Sequence, residues 1–381
     1  MDKILKATLS ILIIIGLMIL GITIVNTGCG NKINLGSTPS PETTATLSPA
    51  PTEEPTPSPT PSKEPDTVSL IRTDYNNYNP NESGEIPVLM FHKFVKAFEP
   101  GMDKAYTTTF DEFEKLLPVL YDKGFRLISM KDFIDCNINV PAGTMPMVFS
   151  FDDGTPSQFN LMDENGKYKV NPESAVGIMM AFNEKHPDFG LKGIFYLNMD
   201  IGDNTFKGAG TLKDRFEFLR NNGFELGSHT WGHVNLKDVK SEEGIIETLG
   251  KNQEAALSVL PDLQFYSLAL PYGGLPESDT LKALLEACDY GTIHYQNLSI
   301  MAVGANPSPP SISPKYNPAY VPRIRMQGQE AVDQDLTWWL PKMTSARMFV
   351  SDGDPHTIVI PAANKDKVDE VRLNGKELVI Y

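Results

Sequence analysis

Three hydrophobic patterns divide the chain. Ala7 to Val25 is an unbroken run without a charge, rich in Ile and Leu. Ser37 to Pro65 has almost no apolar side chains. From Gly84 onward, short apolar runs alternate with stretches in which apolar residues recur every three or four positions. Ile86–Phe91 reads as a buried strand. Phe110, Phe113, Leu117 and Leu120 fit a helix that stops at Lys123-Gly124, with Pro118 inside it as an expected kink. Phe125–Ile128 and Met147–Phe151 read as strands, Ala175–Lys185 as a helix and Gly193–Leu197 as a strand. Arg215–Asn222, closed by Gly223, is a helix followed by the strand Phe224–Gly227. Glu242–Leu260 is a long helix with Ile245, Leu249, Ala256 and Leu260 on one side; Phe265–Leu270 is a strand and Leu281–Cys288 a helix. This alternation predicts right-handed β-α-β units around a parallel sheet. About seven such units favour a barrel or incomplete barrel over an open sheet. In the tail, alternation around Asn374-Gly375 predicts a hairpin, which with Thr357–Ile360 would form a small β appendage.

The first two patterns are an address and a spacer. Lys3 and Lys6 precede the apolar run, and Thr27-Gly28-Cys29-Gly30 follows it, as in an export signal. A small residue before Cys29 fits a bacterial lipoprotein cleavage site, although Asn26 stands where a Leu-like residue is usual. The run also reaches the ~20 residues that span a bilayer, so an uncleaved anchor is the alternative. Either way the rest of the chain is expected outside the cell membrane and tethered to it. The segment 37–65 has nine prolines in 29 residues and buries too little to order itself. The expected division is a signal or anchor at 1–29, a disordered Pro/Thr/Ser-rich linker at 30–83, a globular domain at 84–348 and the β appendage at 349–381.

Composition narrows the function. With 33 Lys+Arg against 48 Asp+Glu the net charge is -15, which disfavours nucleic acid as a partner. Three cysteines, Cys29, Cys136 and Cys288, exclude a disulfide scaffold and a four-Cys zinc site; Cys288 is read as a buried helical residue. No Gly-rich dinucleotide or phosphate loop follows any strand.

Chemistry in such barrels sits where strands end. Met147–Phe151 runs into Asp152-Asp153-Gly154. Phe224–Gly227 runs into Ser228-His229-Thr230-Trp231-Gly232-His233, which places two of the six His four apart on a predicted helical turn. Phe265–Leu270 runs into Pro271-Tyr272-Gly273. One carboxylate and two imidazoles make an open metal site suited to Zn²⁺, and a neighbouring carboxylate can act as base on an activated water. That inventory serves hydrolysis of an amide or ester.

These three motifs, in this order, resemble those of the polysaccharide deacetylases, carbohydrate esterase family 4 with its NodB-homology domain. The resemblance spans roughly Ile86 to Arg325. It implies a distorted, incomplete (β/α)7-type barrel and a metal-dependent deacetylase acting on acetylated cell-surface glycan, working as a monomer. Asp152 would be the general base, Asp153, His229 and His233 the metal ligands, and the N–H of Tyr272, after Pro271, an oxyanion donor. Ala269 stands where many members have an Arg that pairs with the base; Arg323 or Arg325 would replace it. The family's late Leu-x-His motif, which carries the acid, has no clear counterpart. His92, at the end of the first strand, resembles the early His of the poly-N-acetylglucosamine branch, with His294 and His356 as alternatives. His186 is read as a solvated helix-end cation, and Trp338-Trp339 as core or cleft residues. The competing reading is a catalytically weakened, membrane-tethered glycan-binding protein on the same fold.

The address is testable. Cys29→Ala should abolish metabolic lipid labelling. Wild-type protein that never takes label, with the variant anchored at full size, would identify residues 7–25 as an uncleaved anchor.

Overall fold

The computed structural model describes residues 71–326 and 334–381. The apolar run, Cys29 and the Pro-rich segment lie outside them. Among the described residues no helix is long and apolar enough to cross a membrane.

Eight parallel strands form the main sheet: β1 (Val88–Phe91), β2 (Phe125–Leu127), β3 (Met145–Asp152), β4 (Gly193–Leu197), β5 (Phe224–Ser228), β6 (Ser267–Ala269), β7 (Ser299–Met301) and β8 (Ile324–Arg325). Their order is β7-β6-β5-β4-β3-β1-β8, with β2 paired to the first half of β3. The sheet curls into a distorted, incomplete barrel. On its last side Val321 bridges Met301 of β7, while Ile324 pairs with Leu89 of β1. This short stretch, with the bridge between Ile86 and Ser308 lower down, spans the gap between the two edges.

The helices pack outside, in chain order α1 (Phe110–Asp122), α2 (Met130–Asp135), α3 (Ala175–Lys185), α4 (Leu212–Asn221), α5 (Glu242–Val259) and α6 (Asp279–Glu286). Their starts are written locally. Thr109 and Glu112 make a reciprocal cap on α1, and Thr211 and Asp214 do so on α4. Pro118 lies inside α1 on its exposed face, where the lost backbone bond is left to water.

Strand β3 shows why an apparently apolar run can carry chemistry. Successive side chains alternate faces. Met147, Phe149 and Phe151 pack outward in the cluster beneath the helices, whereas Val148 joins Val88, Ile194, Ala269 and Val321 inside the barrel. Ser150 and Asp152 share the inward face with Val148. The interior is thus apolar at its base and polar at its mouth.

Several details differ from the sequence expectation. Cys288 lies not on a helix but on the strand Ala287–Tyr290, which pairs antiparallel with Ile293–Gln296. Leu161–Glu164 and Lys167–Val170 form a second hairpin around Asn165-Gly166 that went unpredicted. The tail is no hairpin: Glu370–Arg372 is a 3-10 turn, and Glu377–Ile380 pairs in parallel with Thr357–Ile360. Arg372 donates to the carbonyls of Ser313 and Tyr316, which draws the middle of the tail away from its predicted partner. Ile358 and Ile360 join Ile86 and Val88 in the barrel-base cluster, so residues 349–381 complete this core.

The folded region also begins before Gly84. Asn81 bridges Val350, and buried Glu82 accepts from the N–H groups of Val359 (2.8 Å) and Asp352 (3.2 Å). Burial, then the neighbouring Asp352, pushes the Glu82 carboxyl well above its ordinary value. Asp352 is raised too, chiefly by burial. The folded state therefore holds protons that the unfolded chain releases above about pH 4.3, and stability falls as pH rises through the folded pKa. Glu82→Gln should flatten that fall without abolishing it, since Asp352 remains. Urea unfolding at pH 5.5 and 8.0 checks this; equal slopes in both proteins would contradict it.

Candidate active site

The mouth of the barrel gathers residues from β1, β3, β5, β6 and β8. Asp152 ends β3, and the chain turns at once: Asp153 has φ 80° and Gly154 φ 64°. The positive φ of Gly154 favours glycine, and a Cβ there would lie 2.9 Å from Leu197 Cδ2, which would have to shift. The turn directs the two adjacent carboxylates to different partners.

Asp153 Oδ1 lies 3.5 Å from His229 Nε2 and 3.5 Å from His233 Nε2. His229 directs Nδ1 to the carbonyl of Ala269 at 2.9 Å, leaving Nε2 for the site. The two His do not share a regular helical turn. Trp231–His233 is a single 3-10 turn, with Thr230 at φ 66°, Gly232 at 75° and His233 at 49°. Asn198 holds this loop by donating to the carbonyls of His229 and Thr230 (3.0 Å), and Thr248 Oγ1 donates to that of Trp231 at 2.8 Å. Buried Asn252 joins the Leu197 carbonyl to Ser228 Oγ at 2.9 Å each. These supports lie on elements remote in sequence and carry no motif, so sequence reading missed them.

The donor set fits a divalent ion. One carboxylate oxygen and two imidazole nitrogens lie within 4.8 Å of one another. Two ligand atoms each ~2.1 Å from a tetrahedral ion lie about 3.4 Å apart, close to the spacing found. Carboxylate plus imidazole is the donor chemistry of Zn²⁺ and its borderline neighbours.

Asp152 takes the other direction. Arg323 Nη1 and Nη2 donate to its two oxygens at 2.7 and 2.8 Å. Both side chains are buried. Arg323 also donates from Nε to the Ala302 carbonyl at 2.7 Å and from Nη1 to Ser150 Oγ at 3.2 Å. Burial opposes charge on Asp152, but Arg323, then His229 and His92, outweigh it and hold the carboxyl well below the usual range. His92, at the end of β1, brings Nε2 to 3.6 Å from Asp152 Oδ2. Burial pulls its pKa down against the pull of Asp152 and Asp153. Its ring meets the edge of Tyr106, 4.8 Å between centroids.

The remaining candidates separate cleanly. Arg325 is not at the base; its Nε donates to Asp335 at 3.0 Å, and its guanidinium lies over Tyr106. His294 pairs with Asp289 on an exposed hairpin, and His356 is exposed in the tail. His186 is half-buried, stacked on Phe182 and tilted against Tyr121, with ring centroids 4.5 Å from each. Trp339 is buried and donates to the Ala305 carbonyl, while Trp338 is half-buried beneath Lys342. Pro271 is buried; Tyr272 has φ 57°, is 70% exposed and sets its ring against that of His233.

Residues 141–293 match the family model for polysaccharide deacetylase. That stretch of the chain therefore carries a polysaccharide deacetylase domain. The match contains Asp152, Asp153, His229, His233 and Tyr272; His92 and Arg323 lie outside it and reach the site through the fold. No curated protein sequence matches. Similar solved structures include the Streptococcus pyogenes deacetylase PplD in complex with acetate, at 15% identity and TM-score 0.47, covering 69% of this chain and 96% of that one. A polysaccharide deacetylase from Bacillus cereus is 18% identical with TM-score 0.49, covering 68% of each chain. IcaB from Ammonifex degensii is 17% identical with TM-score 0.45, covering 65% of this chain and 94% of that one.

The Arg323–Asp152 pair can be tested without substrate. Removing one partner of a buried ion pair typically costs ~3–5 kcal/mol. Arg323→Gln should lose about that much in denaturant unfolding. Arg323→Gln with Asp152→Asn should lose at least ~1 kcal/mol less than the two single losses added. Additive losses would show that the two side chains do not depend on each other.

Proposed function

We propose that this chain is a metal-dependent hydrolase that removes acetyl groups from an N-acetylated cell-surface polysaccharide. The observation that carries the reading is the division of two adjacent carboxylates. Asp153 faces two imidazoles at ion-binding distances, while Asp152 is held ionised by Arg323 beside His92. A divalent ion, Zn²⁺ by donor type, would be held by Asp153, His229 and His233; it would acidify water and polarise the acetyl carbonyl.

The protein residues supply the rest. Arg323 fixes the plane and charge of Asp152, yet each carboxylate oxygen keeps a lone pair free of that pair. Held ionised, Asp152 has a free lone pair with which to orient the attacking water and accept its proton. His92 Nε2, 3.6 Å away, is the adjacent group that would take this proton on from Asp152 and deliver it to the departing amine. The half-exposed rim, with Tyr272 beside His233, leaves the mouth open to a polymer. The N–H of Tyr272 is assigned to the developing oxyanion. His92 is a candidate for the role of the missing late Leu-x-His motif, which argues against a purely glycan-binding role. An export signal or lipid anchor at Cys29 would place the domain on the outer face of the cell membrane, where such glycans lie.

The decisive measurement is acetate release from poly-N-acetylglucosamine, peptidoglycan, chitin oligomers and acetylated xylan, after chelation and with added Zn²⁺ or Co²⁺. Release that persists fully in the chelated protein would overturn the metal role. His233→Ala should lose both metal and activity while remaining folded. Asp152→Asn should keep metal and lose turnover. His92→Ala should lose ~10²–10⁴-fold on an acetamide and far less on an activated ester, whose leaving group needs no proton. Equal losses on the two substrates would remove His92 from the acid role.

A further inference from the structure

The loop after Asp152-Asp153 carries a side chain that the proposed reaction does not use. Gln158 is fully buried. Its Nε2 donates to two backbone carbonyls, that of His92 at 2.6 Å and that of Asp152. An amide nitrogen has two hydrogens, so both are spent. Oε1 accepts from the Thr155 N–H at 3.3 Å. The loop itself is fixed: the Gln158 carbonyl accepts from Val176 N–H at 3.0 Å, and Ser157 Oγ accepts from Phe94 N–H at 3.1 Å.

The two carbonyls are not arbitrary. They lie at the ends of β1 and β3, adjacent parallel strands. The Asp152 carbonyl belongs to the peptide plane that joins the base to the metal-facing carboxylate. Rotating that plane changes the backbone angle of Asp153, which already sits at φ 80°, a region that persists only where surroundings enforce it. The His92 carbonyl likewise fixes the plane after the residue whose ring lies 3.6 Å from Asp152.

We propose that Gln158 is a positioning residue: one buried amide clamps the ends of β1 and β3 together, and so sets Asp153 as an ion ligand in register with His92. The inference rests on reading the site as a deacetylase metal centre. Gln158 acts only through the peptide planes of His92 and Asp152.

Co²⁺ is the probe, because its visible spectrum reports coordination geometry as well as occupancy. Gln158→Met keeps length and removes both donors; it should weaken Co²⁺ binding 10–100-fold, the usual effect of losing an outer support of a ligand, and alter the spectrum. Gln158→Glu turns a second oxygen toward two carbonyls and should be weaker still. Ser157→Ala loses the bonds to Phe94 N–H and Thr155 Oγ1 but neither Gln158 donor, and should stay within about twofold of wild type with an unchanged spectrum. Should Gln158→Met fail to fold, Gln158→Asn draws the amide back by one methylene and is read the same way. Unchanged affinity and spectrum in a folded Gln158 variant overturns the clamp. Equal losses in Ser157→Ala overturn it too, since loop rigidity would then be the cause. A wild-type protein that binds Co²⁺ but releases no acetate from any substrate sinks the deacetylase reading while the clamp is still judged on Co²⁺ alone. One that takes up no Co²⁺ overturns both.

Discussion

The buried pair between Arg323 and Asp152 is the constraint on which the site depends. Moving two charges out of water costs several kcal/mol per ion, and attraction offsets this only with good geometry and further hydrogen bonds. Both conditions are met. The pair is bidentate, and Arg323 places two further bonds on Ala302 and Ser150. Each partner comes from a different part of the barrel: Ser150 and Asp152 from β3, Ala302 just after β7, and Arg323 from the stretch that spans the gap between β7 and β1. Closing the barrel and charging the base are therefore one event. A chain that failed to bring 321–325 across would leave Asp152 buried without a counter-charge.

Around that pair the backbone is held in conformations that non-glycine residues rarely adopt. Asp153, Thr230, His233 and Tyr272 all have positive φ. Such positions cost on the order of 1–3 kcal/mol each and persist where the surroundings over-determine them. Here the supports are identifiable. Asn198 and Thr248 fix the His loop from carbonyls, Asn252 ties the end of β4 to that of β5, and Gln158 fixes the Asp turn. Gly227 has a related role lower down. A Cβ there would lie 2.7 Å from the ring of Tyr196, whose hydroxyl pairs with Ser267 in the polar layer beneath the site. The Asp and His turns at the mouth thus rest on side-chain donors from elsewhere in the fold.

The sequence was readable where one element carries a complete signal. Ala175–Lys185 and Gly193–Leu197 match the observed limits, and the Asp-Asp and His-x₃-His residues are near neighbours in the chain. It was ambiguous where direction depends on closure. Arg323 and Arg325 are two apart on an extended stretch and so share one face, and the pattern could not say which reaches Asp152. The structure answers that Arg323 lies in the interior and Arg325 lies farther toward the rim, against Tyr106 and Asp335. It misled where a local signal met a stronger tertiary one. Asn374-Gly375 is a good turn, but the apolar face of Thr357–Ile360 is taken by the barrel base, and Arg372 is drawn to the loop 313–316. Gln158 and Asn252 left no signal at all, because a buried amide is recognisable only by the carbonyls that surround it.

The two ends of the barrel follow from these choices in different ways. At the base, residues 81–86 and 349–381 plug the interior with apolar side chains and two carboxyls raised in pKa, Asp352 and Glu82, and the bonds of Glu82 go to backbone N–H groups. At the mouth, Asp152 is also buried, yet it faces a guanidinium and two imidazoles, and its pKa moves the opposite way. Burial is common to Glu82 and Asp152, so burial does not decide the outcome; the partner does. A neutral acid is compatible with a plug and useless as a base. An ionised one costs more to bury, and the chain commits a fully buried arginine, Arg323, to keeping it so. That expense is hard to account for by stability, since an apolar core of equal volume would do as well. It is accounted for if Asp152 must carry its charge at the place where a water is to lose a proton.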